Sequence, residues 1–361
     1  MKYFFTFIIL LLQVTTIFNM NFMKQSPHSI FYAPWREYYA NKINNPEDSK
    51  TIQDKSCILC TMVHNKNNDE HFILHRDKHS LIKLASQPYV SNGIHFLIIP
   101  YEHTRETSNL SSDTYKEINH STQKLCALFS PHCHEIYLNT NQGVSSGASI
   151  PDHHHKHIII NNSPRYYNLI QAIQETKATV DLPTLFHTLQ SDFAMFNGII
   201  IPQPVTHTLC QKNCYYCSIL QKNPEQNLII HQGQYASIML SHHPTYFGEV
   251  DIIPHQHIES IETIPSHTYQ EINELTIAIY PLLLRLLNTE DANIGSISYG
   301  NKAHHVEHIK QKIIPRKITW NTTSTTRGFH LNGNIINFYK KLVSEWLSII
   351  LKQPIQKISK L

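Results

Sequence analysis

Charged residues are scarce in this chain of 361 residues, where they make up 16% of the sequence against about 25% in typical soluble proteins. This composition excludes a disordered chain that is kept open by its own charge. The 10 glycines and 18 prolines are too few for a collagen-like or low-complexity protein. The formal net charge of +3 gives no electrostatic reason to expect nucleic acid as a partner.

Long hydrophobic runs are absent after residue 22, which excludes a protein with several membrane-spanning helices. Lys2 is followed by an apolar run that reaches Phe18, a pattern typical of a signal peptide or a short anchor. No small-residue cleavage site follows it, and Met20 and Met23 leave a later translation start open. We expect a cytoplasmic protein, with export, anchoring or membrane contact through residues 2–18 as the alternative.

Seven cysteines are too few for a disulfide-rich scaffold. Four of them form two C-x-x-C pairs, Cys57 with Cys60 and Cys214 with Cys217. Such pairs indicate metal sites in a reducing compartment. The alternative, a redox pair, needs a thioredoxin-like strand-to-helix context, which the sequence around neither pair provides.

The sequence contains two copies of one unit. The segment Ile98–His103 returns as Ile252–His257, and Thr114–Asn119 returns as Thr268–Asn273, in both cases 154 residues later. Self-similarity at a fixed offset predicts a duplicated unit of roughly 130 residues. We divide the chain into an apolar segment at 1–22, a first copy at 28–165, a connecting segment at 166–205, a second copy at 206–320 and a closing helical segment at 321–361.

Each copy has the same predicted elements. Three strand-like runs precede a helix that begins near Ser112 or Ser266, and a further strand and a histidine-rich strand follow. Strands in sequence with one inserted main helix predict an α+β fold with an antiparallel meander in each copy.

The histidine-rich strand carries the most specific motif. Alternation on a strand would place His153, His155 and His157 on one face, with His154 and Lys156 on the other. Burying three imidazoles about 7 Å apart is costly without a function. An exposed histidine-rich strand is the alternative, but the apolar residues that follow, Ile158–Ile160, favour a core strand.

This motif resembles the H-x-H-x-H sequence of the histidine triad (HIT) superfamily of nucleotide hydrolases and transferases. Its zinc-containing branch, which includes dinucleoside tetraphosphate (Ap4A) phosphorylase-like proteins, is similar in further motifs: Tyr32–Arg36 with Tyr39, Cys57-x-x-Cys60, Pro88-Tyr89, Ile94–His103, Asn141-x-Gly143 and Gly147–Ser149. The duplication resembles galactose-1-phosphate uridylyltransferase, but that enzyme has Gln at the position of His157, so the nucleotide hydrolases and phosphorylases match better.

The resemblance implies a covalent mechanism in the first copy. His155 would attack the α-phosphorus of a nucleoside (poly)phosphate or phosphoramidate and form a nucleotidyl-histidine. His157 and Ser149 would assist catalysis, and both would bind the substrate together with Asn141 and Gly147. The partner is a nucleotide, expected to contain adenine, and water or phosphate would accept the nucleotidyl group.

The resemblance also implies two structural zinc sites. The ligands would be Cys57, Cys60, His103 and His153 in the first copy and Cys214, Cys217, His257 and His308 in the second. Their separations are 3, 43 and 50 residues against 3, 40 and 51, and zinc is typically held by four such N and S ligands.

The second copy lacks the reactive histidines, because Lys310 and Lys312 replace them. A cationic lysine has no lone pair for attack, so this copy is expected to be inactive. With Arg316 and Lys317, these lysines form either a solvated edge or a phosphate contact.

We expect the copies to pack as a pseudo-dimer, and the chain to be monomeric or a homodimer. A non-enzymatic nucleotide- or zinc-binding module is the alternative function. A third, nucleic-acid processing, has no basic domain to support it.

Overall fold

The computed structural model describes residues 57–89, 93–143, 146, 148, 150–162, 181–201, 214–221, 224, 227–242, 244, 246–299, 308–316 and 333–352. The apolar segment at 1–22, the HIT-like motif at 32–39 and Lys317 lie outside the described residues. None of the helices in these ranges combines the length and the apolar content needed to cross a membrane.

The ten strands in the described ranges pair antiparallel in one sheet, which confirms the predicted α+β class. The N-terminal half contributes β1 (Ile73–Arg76), β2 (Ser80–Leu84), β3 (Gly93–Pro100), β4 (Glu135–Gln142) and β5 (Lys156–Asn161). The C-terminal half contributes β6 (Ile229–Gln232), β7 (Ala236–Leu240), β8 (Val250–Pro254), β9 (Asp291–Tyr299) and β10 (Gln311–Arg316).

The strand order corrects the predicted meander. The sheet runs β1-β2-β3-β5-β4-β9-β10-β8-β7-β6, so β5 lies between β3 and β4, and β10 lies between β8 and β9. The reason is the helix between β3 and β4, which crosses the sheet and leaves one position empty. The next strand returns as a partner of both neighbours and fills that position.

The two halves join along β4 and β9, which pair over eight residues from Glu135 with Tyr299 to Gln142 with Ala292. The pair Asn139 with Gly295 lies in the middle of this region. The strand order is therefore the same when it is read from either edge of the sheet, and residues of β9 come directly beside the strand that carries Asn141.

The helices are α1 (Ile58–His64), α2 (Ser112–Phe129), α3 (Leu182–Ala194), α4 (Tyr215–Leu220), α5 (Ser266–Leu287) and α6 (Gly333–Lys352). The main helices α2 and α5 begin at the predicted serines, but the N-cap residues are Ser111 and Pro265. Only Ser111 caps with its side chain, which accepts a hydrogen bond from the Thr114 N–H. This bond satisfies one of the backbone donors that a helix start leaves unpaired.

One face of the sheet is covered by helices. Alternate strand residues such as Phe96, Ile98 and Ile158 are buried in one apolar cluster with residues of α2, α3, α5 and α6. The described part of the connecting segment at 166–205 packs α3 on the N-terminal half, with Phe186 on Phe72 and Phe193 on Phe96.

Helix α6 has the corresponding place in the C-terminal half. Its Trp346 ring contacts His231 at a centroid distance of 5.5 Å, and Phe338 contacts Phe247 at 4.9 Å. Each half is thus a five-strand unit with a main helix and a following helix, so the structural unit includes one helix more than the repeated sequence indicates.

Candidate active site and metal centres

The histidine motif is an irregular segment followed by a strand, which corrects the prediction of one continuous strand. Strand β5 begins at Lys156, and His153 and His155 lie in the irregular segment between a turn at 151–152 and this strand. The reason is a backbone bond from the His154 N–H to the Thr104 carbonyl at 2.6 Å, which ties the irregular segment to the loop after β3. The His155 and His157 rings lie at a centroid distance of 4.9 Å.

His155 has a defined tautomer. Its Nδ1 lies 2.8 Å from the backbone carbonyl of His153. A carbonyl only accepts hydrogen bonds, so Nδ1 carries the proton and the lone pair is on Nε2. The side chain is buried, with 4% exposed. This is the protonation state that an imidazole nucleophile needs.

His157 is oriented by a residue that the sequence analysis did not single out. The Tyr89 N–H donates to His95 Nδ1 at 3.2 Å, so the proton of neutral His95 is on Nε2. That Nε2 donates to His157 Nδ1 at 2.9 Å, which leaves the His157 proton on Nε2. His95 is buried against His157. This contact follows from the pairing of β3 with β5, for which the sequence around His95 gives no local signal.

The predicted phosphate-binding residues are described in part. Asn141 lies on β4, on the face that carries His157, because Asn139 is the direct cross-strand partner of His157. The β4–β5 pairing ends at Thr140 with Lys156, so Asn141 lies one residue beyond it, at the end of β4 that is nearest to His155. Gly147 and Ser149 lie outside the described residues, so their predicted roles stay predictions.

Gly143 marks the start of the loop after β4. Its φ of +87° is in the region that favours glycine. Added bulk is also excluded, because a Cβ would lie 1.6 Å from Oδ1 of Asp291. Asp291, on β9, accepts a hydrogen bond from Arg105 at 2.7 Å. The C-terminal half therefore approaches this loop closely.

The opposite face carries His154 and Lys156, as predicted. Burial lowers the pKa of His154 to about 3, and the proximity of His155 and Lys156 contributes to the decrease. Burial also lowers the pKa of Lys156 to about 8. Its Nζ donates to the Tyr269 hydroxyl at 3.4 Å on helix α5. These side chains face the helices and not the three-histidine site.

The first predicted metal set comes together. Ligand atoms of Cys57, Cys60, His103 and His153 lie within 4.8 Å of one another. The His153 Nε2 donates to the Pro100 carbonyl at 3.0 Å, so its lone pair is on Nδ1, which lies 3.3 and 3.4 Å from the two sulfurs. Burial lowers the pKa of His153 and favours the neutral form that binds metals.

The second set comes together in the same way, with Cys214, Cys217, His257 and His308 within 4.8 Å. The His308 Nε2 donates to the Pro254 carbonyl at 3.0 Å, and its Nδ1 lies 3.6 Å from both sulfurs. Burial, with His257 nearby, lowers the pKa of His308 to about 4.

Both sets fit a tetrahedral ion of the size of zinc. With Zn–S near 2.3 Å and Zn–N near 2.0 Å, neighbouring S and N ligands are about 3.5 Å apart. The sulfur–nitrogen distances in the two sets are 3.1 to 3.6 Å. In each set the first cysteine is the N-cap of a short helix, α1 or α4, so the second cysteine returns one turn later on the same side.

Comparison with known proteins identifies the N-terminal half. Residues 65–163 match the HIT domain family, and this range contains the three histidines and both hydrogen-bonded histidine pairs described above. The chain contains a HIT domain. No curated protein matches the chain at a significant level.

Solved structures share the fold of about three quarters of this chain. An ADP-glucose phosphorylase from Arabidopsis thaliana with bound ADP-glucose has 15% identity and a TM-score of 0.50, over 74% of this chain and 82% of that one. A uridylyltransferase has 14% identity and a TM-score of 0.54, over 76% and 86%. A GalT-like protein from Arabidopsis thaliana has 15% identity and a TM-score of 0.51, over 75% and 87%.

The C-terminal half has an ion-paired cluster where the HIT domain has its histidines. Lys312 occupies the place of His157. Lys312 pairs with Gly295 in the middle of β9, and His157 pairs with Asn139 in the middle of β4. The Lys312 Nζ donates to Glu249 and, at 2.9 Å, to Asp251. Both carboxylates are buried, with 1% of each side chain exposed. Glu249 stands where His95 stands in the HIT domain.

This cluster changes the interpretation of the basic residues. Lys312 and Arg316 are held by other side chains, Arg316 through a bond from Nε to Asn293 Oδ1 at 2.6 Å. Lys310 Nζ lies 4.6 Å from the centre of the Tyr216 ring. The phosphate contact that we considered for Lys312 is not supported, because two carboxylates already neutralise its charge.

Proposed function

We propose that the HIT domain catalyses hydrolysis or nucleotidyl transfer at the α-phosphate of a nucleoside (poly)phosphate or phosphoramidate, with a covalent intermediate on His155. The hydrogen bond from His155 Nδ1 to the His153 carbonyl carries this proposal, because it directs the reactive lone pair to Nε2. Membership of residues 65–163 in the HIT family supports the reaction class.

In the first step, His155 Nε2 attacks the α-phosphorus, a P–N bond forms, and the bond from phosphorus to the leaving group breaks. The leaving group departs with its electron pair, and the His157 Nε2–H is the donor that can hydrogen-bond to it or to a phosphoryl oxygen. Water or phosphate then attacks the same phosphorus and releases His155. Asn141, Gly147 and Ser149 bind the phosphate in this proposal.

The substrate class is a nucleotide, and we keep adenine as the expected base. A structurally similar phosphorylase holds ADP-glucose, so nucleotide sugars join Ap4A among the compounds to test. We further propose one zinc ion in each cysteine–histidine set. Zinc there supplies structural cross-linking: in the first set it would fix the irregular segment that carries His153 and His155.

We also propose that the halves are tandem HIT-like units packed as a pseudo-dimer, the second of them degenerate. The symmetric strand order and the central position of the pair Asn139 with Gly295 support this arrangement. It accounts for a C-terminal half that retains its metal ligands without the catalytic histidines.

Intact mass spectrometry after brief incubation tests the reaction. We expect an acid-labile increase of one AMP with Ap4A or adenosine phosphoramidate, absent in His155→Ala and retained in His187→Ala, a control at an exposed histidine on α3. ADP-glucose and UDP-glucose are tested in parallel. Nucleotide binding without adduct or turnover for any of these compounds would instead favour a non-enzymatic binding module.

A further inference from the structure

A chain of three buried polar side chains connects the C-terminal half to Asn141. Arg316 on β10 donates from Nε to Asn293 Oδ1 at 2.6 Å. Asn293 on β9 donates from Nδ2 to Asn141 Oδ1, also at 2.6 Å. The exposed fractions of Arg316, Asn293 and Asn141 are 4%, 0% and 7%, so water competes little for these bonds.

The direction of each bond in this chain is fixed by chemistry. Arginine has only donors, so Asn293 must turn its oxygen toward Arg316 and its amide nitrogen the other way. The same Nδ2 donates to the Ser146 carbonyl at 3.0 Å, which accepts only and therefore requires the same orientation. Two independent partners thus determine which end of the Asn293 amide faces Asn141.

The orientation of Asn141 follows. Its Oδ1 accepts from Asn293 Nδ2 and, on its own strand, from Asn139 Nδ2 at 2.6 Å. Two donors on one oxygen turn the Asn141 Nδ2 away from them. Because Asn141 lies one residue beyond the pair of Thr140 with Lys156, beside the segment that carries His155, this leaves an N–H donor for a phosphate that meets the nucleophile.

We propose that Asn293 and Arg316 are positioning residues of the HIT-domain site. They fix the amide orientation of Asn141 and hold the loop at Ser146, so that Asn141 presents a donor and not an oxygen to the phosphate. The C-terminal half, inactive itself, thereby determines phosphate affinity in the N-terminal half. The inference rests on the proposed function, because it requires a phosphate to bind beside Asn141.

The sharpest test is Asn293→Asp, which keeps the size and the partner of Arg316 but cannot donate. Asn141 would then have to donate to residue 293 and turn its own oxygen toward the phosphate. We expect at least a tenfold loss of affinity for AMP, equivalent to about 1.4 kcal/mol, with adenosine affinity changed less than about twofold. UMP with uridine is measured alongside, by calorimetry on the zinc-loaded protein.

Two further measurements separate orientation from charge and from folding. A long-range charge effect of the new carboxylate would weaken in 0.5 M salt, where screening acts over a few ångströms, whereas a turned amide would not. Arg316→Met removes the donor that orients Asn293 and is expected to weaken AMP binding, while Arg316→Lys restores a donor and part of the affinity. If Asn293→Asp does not fold, the Arg316 pair carries the same test.

The outcomes are distinct. Equal losses for AMP and adenosine, or no loss for either, would overturn the positioning role while leaving the proposed function in place. A wild-type protein that binds neither AMP nor UMP would overturn the proposed function, and the positioning role with it.

Discussion

The cluster around Lys312 allows a quantitative prediction. Lys312→Met keeps the side-chain volume but removes the only cation bonded to Glu249 and Asp251 among the described residues. Breaking a buried pair in this way costs about 3–5 kcal/mol, because the remaining charges are left without compensation. A fifth of the Lys312 side chain is exposed, so we expect the lower end, about 3 kcal/mol.

Two control variants make this prediction specific. Glu249→Gln leaves Lys312 paired with Asp251 and leaves an amide oxygen as acceptor, so we expect a loss of less than about 1.5 kcal/mol. Lys310→Met, two residues away, removes a contact with the Tyr216 ring and should cost at most about 1 kcal/mol.

Denaturation in urea, with zinc present throughout, measures these differences from the midpoints and slopes. Burial by itself lowers the pKa of Lys312, but Asp251 and Glu249 outweigh it and raise the pKa above 10.5. The contribution of Lys312 should therefore be present at neutral pH and disappear as the pH rises above about 10.5. If Lys312→Met cost no more than Lys310→Met, the cluster would not be the stabilising feature that we describe.

Four further predictions follow from the site and the fold. His155→Ala should abolish turnover, by several orders of magnitude, with zinc content unchanged, as measured by steady-state kinetics and elemental analysis. Elemental analysis should find two zinc ions per chain, and Cys57→Ser and Cys214→Ser should each lower the melting temperature, since structural zinc contributes folding free energy; one ion per chain would remove the second site. His95→Phe should lower kcat about a hundredfold, because it removes the hydrogen bond that fixes the tautomer of His157. His95→Gln retains a donor and should recover part of the lost kcat. Small-angle scattering should give a radius of gyration near 21 Å for a compact pseudo-dimer, and a value several ångströms larger would mean independent halves.

The two sets of metal ligands were predictable because the same residue types recur in both copies. Cysteine and histidine at matching separations in two copies leave few other interpretations, and the structure brings both sets together. The starts of α2 and α5 were predictable from local periodicity and serine. These features depend on residues close in sequence or on side chains with one dominant chemistry.

Features that depend on strand pairing were not predictable. The placement of β5 between β3 and β4 decides that His95 touches His157, and nothing in the local sequence around either residue encodes that neighbour. The same holds for Asn293, which reaches Asn141 only because β4 pairs with β9. Pairing between distant segments is set by the packed sheet as a whole.

In the second half, Lys312 in place of His157 and Glu249 in place of His95 are linked by electrostatics. Lysine in place of the third histidine puts a cation next to the position of His95, and burying a charge without a partner is unfavourable. Glu249 at that position, with Asp251 beside it, supplies the compensation. The cluster therefore replaces a neutral histidine pair by an ion pair and preserves the packing of β8 and β10. Because β10 carries Arg316 and β9 carries Asn293, keeping this half folded also keeps the side chains that orient Asn141 in the HIT domain.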